Sequence, residues 1–221
     1  MGLISGFNVF VLFLAFGAQV LYRRSFRFSR FLFWQKFGEV IFKKSLKLLW
    51  ILAGAFILII FLRDSFLQYQ AWLEGPMRFA LPPYRSLAYF FSYIGTRFLS
   101  PWLLSFVVSF IISRLAKWLN RRFEGRFFEE EEIDLIALGV FLSGYPGFLV
   151  YLVAILVLGV LIALIYTLFS LGKLPLYFFW LPLAIFVIIL MDWIIPKIGF
   201  ESFFGQFILG DFAGLIFGPI K

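Results

Sequence analysis

The stretch RRFEGRFFEEEEIDLIALGVFLSGYPGF, residues 121–148, decides the fold. It opens on the basic pair Arg121 and Arg122 and reaches an acid block of Glu129, Glu130, Glu131 and Glu132, with Asp134 close behind. It then runs apolar to Gly144 and ends on Tyr145, Pro146 and Gly147. Acids in the first turn of a helix are favoured by its macrodipole, and Glu130 lies one helical turn after Arg126. At helical rise, residues 129–145 reach about 25 Å, close to the hydrocarbon thickness of a bilayer. This is the pattern of a short helix that starts at a charged membrane surface and turns back at its far end.

The rest of the chain has the composition of a membrane protein. Of its 221 residues 63% are hydrophobic, 34 are phenylalanine, and the mean hydropathy is +0.99. Soluble domains hold roughly 45–50% apolar residues, and a water-soluble core could not hide the excess. The formal charge of +8 is concentrated beside apolar runs, where topology and anionic lipid head groups account for it. Nucleic acid is therefore not expected as a partner.

Cysteine and histidine are both absent. Thiol and imidazole nucleophiles, Ser-His and Cys-His relays, histidine-ligated haem and thiolate zinc sites are thereby excluded. Carboxylates, Lys, Tyr, Ser and Thr remain. The acids are clustered but lack the spacing of a cation loop, so neither a metal nor a cofactor is expected.

Outward from the central stretch, apolar runs long enough to span alternate with charged segments. Residues 3–22 form the first, followed by a basic cluster, so the pattern is that of a retained span or signal anchor. Residues 23–47 carry eight Lys or Arg against one acid, Glu39. They are expected to form a cytoplasmic interfacial segment with Arg23, Arg24, Arg27, Arg30, Lys43 and Lys44 toward anionic lipid. The second span is expected at 45–62, an external loop with short surface helices at 63–97, and the third span at 98–113. Arg114, Lys117, Arg121, Arg122 and Arg126 then mark the cytoplasmic side again. Residues 148–171 are uncharged throughout, a short turn at Gly172 and Lys173 follows, and 176–195 complete the spans before a tail at 196–221. The expectation is an all-α, polytopic integral membrane protein: one domain, 1–221, of about six transmembrane helices with interfacial amphipathic helices. It would be a multi-pass protein of the cell (plasma) membrane. Asp192 is expected at the outer interface, where it reaches water.

Residues 128–195 carry a resemblance. The run from Glu131 through Ile133, Leu138, Gly139 and Gly144, the long apolar span, the Lys-bearing turn and the stretch LPLYFFWLPLA at 174–184 are similar to the C-terminal half of type IV prepilin peptidases. Those are membrane aspartyl proteases in which a G-x-G-D motif opens a short helix at the cytoplasmic face. The resemblance implies Glu131 at the position of the catalytic aspartate, and Asp134, just after the block, is the other candidate carboxylate. Phe128 and Glu130 stand where the two glycines belong, and bulky residues resist the conformations those glycines adopt. Gly210 and Asp211 lack the motif and read as a turn.

An aspartyl mechanism needs a second carboxyl to share a proton and activate one water. Asp64 and Asp192 are expected at the outer ends of their spans, and Glu39 is expected on the cytoplasmic side. A prepilin-peptidase-like architecture with a lost or altered aspartyl site, and a structural or assembly role, is the leading expectation. An active peptidase using Glu131 or Asp134 is the alternative. A small-solute transporter or channel comes third, because residues 3–22 and 148–171 hold no charge.

Overall fold

In the computed structural model, residues 2–28, 32–123, 129–169 and 178–193 are described. The expected tail, the turn at Gly172 and Lys173, and the Gly210-Asp211 pair lie outside them. The described residues are helical with no strand: α1 (Leu3–Phe28), α2 (Leu32–Glu74), α3 (Leu87–Ile94), α4 (Ser100–Arg122), α5 (Glu130–Ser143), α6 (Gly147–Leu168) and α7 (Trp180–Trp193). A π turn, Gly95–Leu99, joins α3 to α4. Three helical stretches are long and apolar enough to cross a membrane: Leu3–Arg23, Gly38–Glu74 and Leu87–Arg122.

The segments expected at 23–47 and 63–97 are helical over most of their length. Residues 32–47 are the start of α2, which continues unbroken for 43 residues, roughly 64 Å at helical rise. Arg63 and Asp64 do not end it, since neither residue removes a backbone donor or demands a left-handed conformation. Gly75 and Pro76 do, because proline lacks the N–H that the helix would use. A short 3₁₀ turn, Pro76–Ala80, follows. Trp72, Leu81, Phe90 and Ile94 form a small separate core there.

The main core centres on α5. From Glu132 to Leu142 every residue except Asp134 is buried, and α5 packs against α1, α2, α4, α6 and α7. A helix that is apolar all round belongs inside a bundle. At 14 residues it is about 21 Å long, so it is sheathed by its neighbours, of which α1, α2, α4 and α6 are longer. Close approach depends on small residues. α4 buries Ser105, Ser109 and Ala116 against the core. Gly139 lies against the Tyr151 ring of α6, where a Cβ would come within 2.7 Å of the phenolic oxygen.

Polar cross-links fix the register. Ser109 Oγ donates to the Ala137 carbonyl at 2.6 Å, Asn8 Nδ2 to the Leu142 carbonyl at 2.8 Å, and Tyr151 Oη to the Trp180 carbonyl at 3.0 Å. Asp192 of α7 accepts from the Gly2 N–H and the Ser5 hydroxyl, both at 2.9 Å. It thus receives two donors from the start of α1, where a helix leaves backbone N–H groups unsatisfied and favours negative charge. Asp192 is a tie between helices as well as an end-of-helix acid.

The Gly139 contact yields a paired test. Gly139→Ala is expected to lower the thermal midpoint of the detergent-purified protein, at a cost of about 1–3 kcal/mol for overpacking. Gly159→Ala on α6, where a Cβ meets nothing within 4 Å, is expected to leave it unchanged or slightly raised.

Candidate functional site

The acid block sits at one end of the bundle, and its members point to different helices. Consecutive residues of an α-helix project about 100° apart, so an unbroken run of acids fans around the axis. Glu129 accepts two hydrogen bonds from the Arg23 guanidinium of α1, at 3.0 and 3.1 Å. Glu130 faces Lys43 of α2 at 3.6 Å. Asp134 pairs with Lys117 of α4 at 3.2 Å. Glu132 turns inward, toward the indole N–H of Trp180 on α7 at 3.5 Å. Four acids thereby connect the start of α5 to four other helices.

The individual ion pairs are modest. Arg23 and Glu129 keep 43% and 47% of their side chains exposed, and pairs of that kind contribute about 0–1 kcal/mol each. Their value lies in direction, since Glu129, Glu130 and Asp134 face cations on three different helices. Glu132 is different. Its carboxylate also accepts the Glu129 backbone N–H at 2.9 Å, which satisfies a donor that the helix start leaves open. The apolar part of α5 begins at Ile133, and Glu132 belongs to the polar turn before it.

Glu131, at the position of the family's aspartate, and Asp134, the other candidate, lie three positions apart on α5, one helical turn from each other. Asp134 is engaged by Lys117, while Glu131 is half-buried and lies in the field of Tyr22 and Lys43. Asp64 is 21 residues beyond Lys43 on α2, about 32 Å along that helix. Asp192 is at the other end, with Gly2. Glu39 does approach: its carboxylate accepts from Lys43 at 2.7 Å, and the same ammonium faces Glu130. A cation therefore stands between these two acids. Among the described residues no group of three acids could hold a metal ion.

One feature of this end has no counterpart in the acid pattern. A cavity of about 400 Å³ opens between α4 and α5, with Trp50 of α2 on its wall and Arg114, Lys117 and Asp134 at its polar side. Sequence reading missed it because Trp50 is far from α4 and α5 in the chain and the gap between those two helices depends on how they pack. The sole local signal is the spacing of Ser109, Ser113 and Lys117, which puts three polar groups on one stripe of an otherwise apolar helix.

No protein-family model, curated protein or solved structure matches the chain.

Glu132 separates a cap from a charge. Glu132→Gln is expected to cost only about 0.5–1 kcal/mol, since its one amide oxygen can keep the bond from the Glu129 N–H and only the longer contact from the Trp180 indole N–H to the other oxygen is given up. Glu132→Ala is expected to cost about 1–2 kcal/mol through the unsatisfied donors it leaves. Thermal unfolding of both variants in the same detergent checks the difference.

Proposed function

We propose that the chain is a polytopic protein of the cell membrane with a structural or assembly role, in which the acid block is an internal anchor. The observation carrying this reading is the fan of acids at the start of α5, with Glu129, Glu130 and Asp134 facing cations from three different helices. A carboxyl dyad works by sharing one proton, and acids spread around a helix onto separate cations do not meet that need. About six helices would make up the membrane domain, with α5, α6 and α7 packed among the three of full spanning length.

Arg23, Lys43 and Lys117 converge on one end of the bundle, which supports a cytoplasmic assignment for that end. Lys44, exposed on α2, is the basic residue there best placed for anionic lipid. Arg24, Arg27 and Arg30 belong to the same proposal on sequence grounds, their side chains lying outside the described residues. Arg23 and Lys43 divide their charge between lipid and the acids of α5.

The resemblance of residues 128–195 to prepilin peptidases motivates a second reading, an active membrane aspartyl peptidase using Glu131 or Asp134. The observation in its favour is the approach of Glu39 to the same Lys43 that faces Glu130.

The cysteine-free chain offers a direct test. Asp64→Cys and Glu131→Cys variants, each alone, are expected to react with an impermeant maleimide from opposite sides of sealed vesicles. Labelling from the same side would overturn the topology. In parallel, wild type co-expressed with a prepilin is expected to leave its leader intact, and cleavage abolished by Glu131→Gln would replace the structural reading by the peptidase.

A further inference from the structure

We propose that the cavity between α4 and α5 is a site for one anionic phospholipid, with the phosphate at Arg114 and Lys117 and one acyl chain extending toward Trp50 and Phe106. The proposal rests on the membrane reading above and adds a ligand to it. A volume of about 400 Å³ lies in the range of small-ligand sites, roughly 300–1,000 Å³. The lining is graded along α4. Arg114 and Lys117 stand at the acid end with Asp134, Ser113 lies between, and Phe106 with Trp50 forms the apolar end. There Trp50 stacks on Phe141 with ring centroids 5.0 Å apart, and Phe106 meets the same ring edge-on at 5.8 Å.

The length of that gradient selects the ligand. Phe106 and Lys117 are 11 residues apart on one helix, about 16 Å at helical rise, and half of a bilayer's hydrocarbon is about 15 Å. A molecule matching the site is charged at one end and apolar over the depth of one leaflet, which describes a phospholipid better than a small solute.

Charge selects the head group. Asp134 balances Lys117 at 3.2 Å, so the mouth keeps a net positive charge through Arg114. The Arg114 guanidinium carbon lies 4.9 Å from the centre of the Phe110 ring, a cation–π contact that holds the charge beside the cavity. Planar donors suit a phosphate, which guanidinium binds through two parallel hydrogen bonds. Basic pockets between membrane helices on the cytoplasmic side are suited to anionic head groups on the same grounds.

The full chain reconstituted in vesicles of phosphatidylglycerol and phosphatidylcholine with identical acyl chains, then re-extracted and washed in detergent, reports the lipid it keeps by native mass spectrometry. Wild type is expected to retain phosphatidylglycerol about tenfold over phosphatidylcholine. Arg114→Gln is expected to remove the preference, and Arg114→Lys to keep part of it. Ser113→Phe, which fills the cavity at unchanged charge, is expected to abolish retention of both lipids. Arg85→Gln, outside the cavity, is expected to behave as wild type. Inorganic phosphate at millimolar concentration is expected not to displace the lipid, and displacement would assign the site to a free anion. Equal retention of both lipids by wild type, or undiminished retention in Ser113→Phe, would overturn the lipid site alone. Loss of the chain from carbonate-washed vesicles would overturn the membrane reading beneath it.

Discussion

The structure depends on burying a helix whose start is charged. α5 is apolar on every face from Ile133 to Leu142 apart from Asp134, so it is stable only when enclosed. Enclosure deprives its backbone ends of water, and each orphan donor or acceptor then needs a partner from protein. At the start, Glu132 takes the Glu129 N–H. At the far end, the Gly144 N–H reaches the Phe141 carbonyl and Asn8 of α1 supplies a donor to the Leu142 carbonyl. Gly144 holds a φ of +62°, which a residue with a side chain adopts at a cost. The same glycine lets the Trp102 ring of α4 pack where a Cβ would come within 3.2 Å. One helix thus dictates a glycine at its own end and the placement of an asparagine and a tryptophan on its neighbours.

The two ends of the bundle are satisfied by different chemistry. At the acid end the ties are ionic, between side chains long enough to reach from one helix to the next. At the other end they are short hydrogen bonds, Asp192 to Gly2 and Ser5 and Asn8 to the Leu142 carbonyl. Between them, hydroxyls do the cross-linking: Ser109 on α4 and Tyr151 on α6 both donate to carbonyls of other helices. In a low-dielectric interior there is no hydrophobic drive to hold helix against helix once apolar lipid surrounds them, and small residues with interhelical hydrogen bonds take over that task. The buried Ser105, Ser109 and Ala116 of α4 supply the first, and Ser109 supplies both.

Helices and their apolar character were legible because they are local properties. Long uncharged runs without Pro, such as 148–168, can only be helices at this hydropathy. The turn at 144–147 announced itself through Gly144, Pro146 and Gly147. What local reading obscured was hierarchy. Residues 135–142 show no polar face, and that absence identifies α5 as the enclosed helix, yet its shortness drew attention to its charges instead. Arg63 and Asp64 looked like a span's end, although helix interiors accept both residues and the stop comes at Gly75 and Pro76. The pairing of Arg23 with Glu129 crosses 106 residues of sequence, and no spacing rule connects them. The acid block itself was read correctly as charge meeting a helix start, while its partners depended on topology.

The same geometry explains why the block contains consecutive acids. A helix bordered by neighbours on all sides needs anchors in several directions, and residues 129, 130, 132 and 134 provide them within about one and a half turns. A catalytic pair would make the opposite demand: two carboxyls on one side, close enough to share a proton, with room for a water. Glycines before the acid would help by opening the helix start, whereas Glu130 adds bulk and another charge there. Spreading the acids uses every direction for cohesion. It leaves Asp134 as the acid that also borders a cavity, where its pairing with Lys117 tempers the positive mouth without neutralising it. The anchor of α5 and the charge balance of the cavity are therefore set by one ion pair, so changes at Lys117 or Asp134 act on packing and on the cavity mouth together.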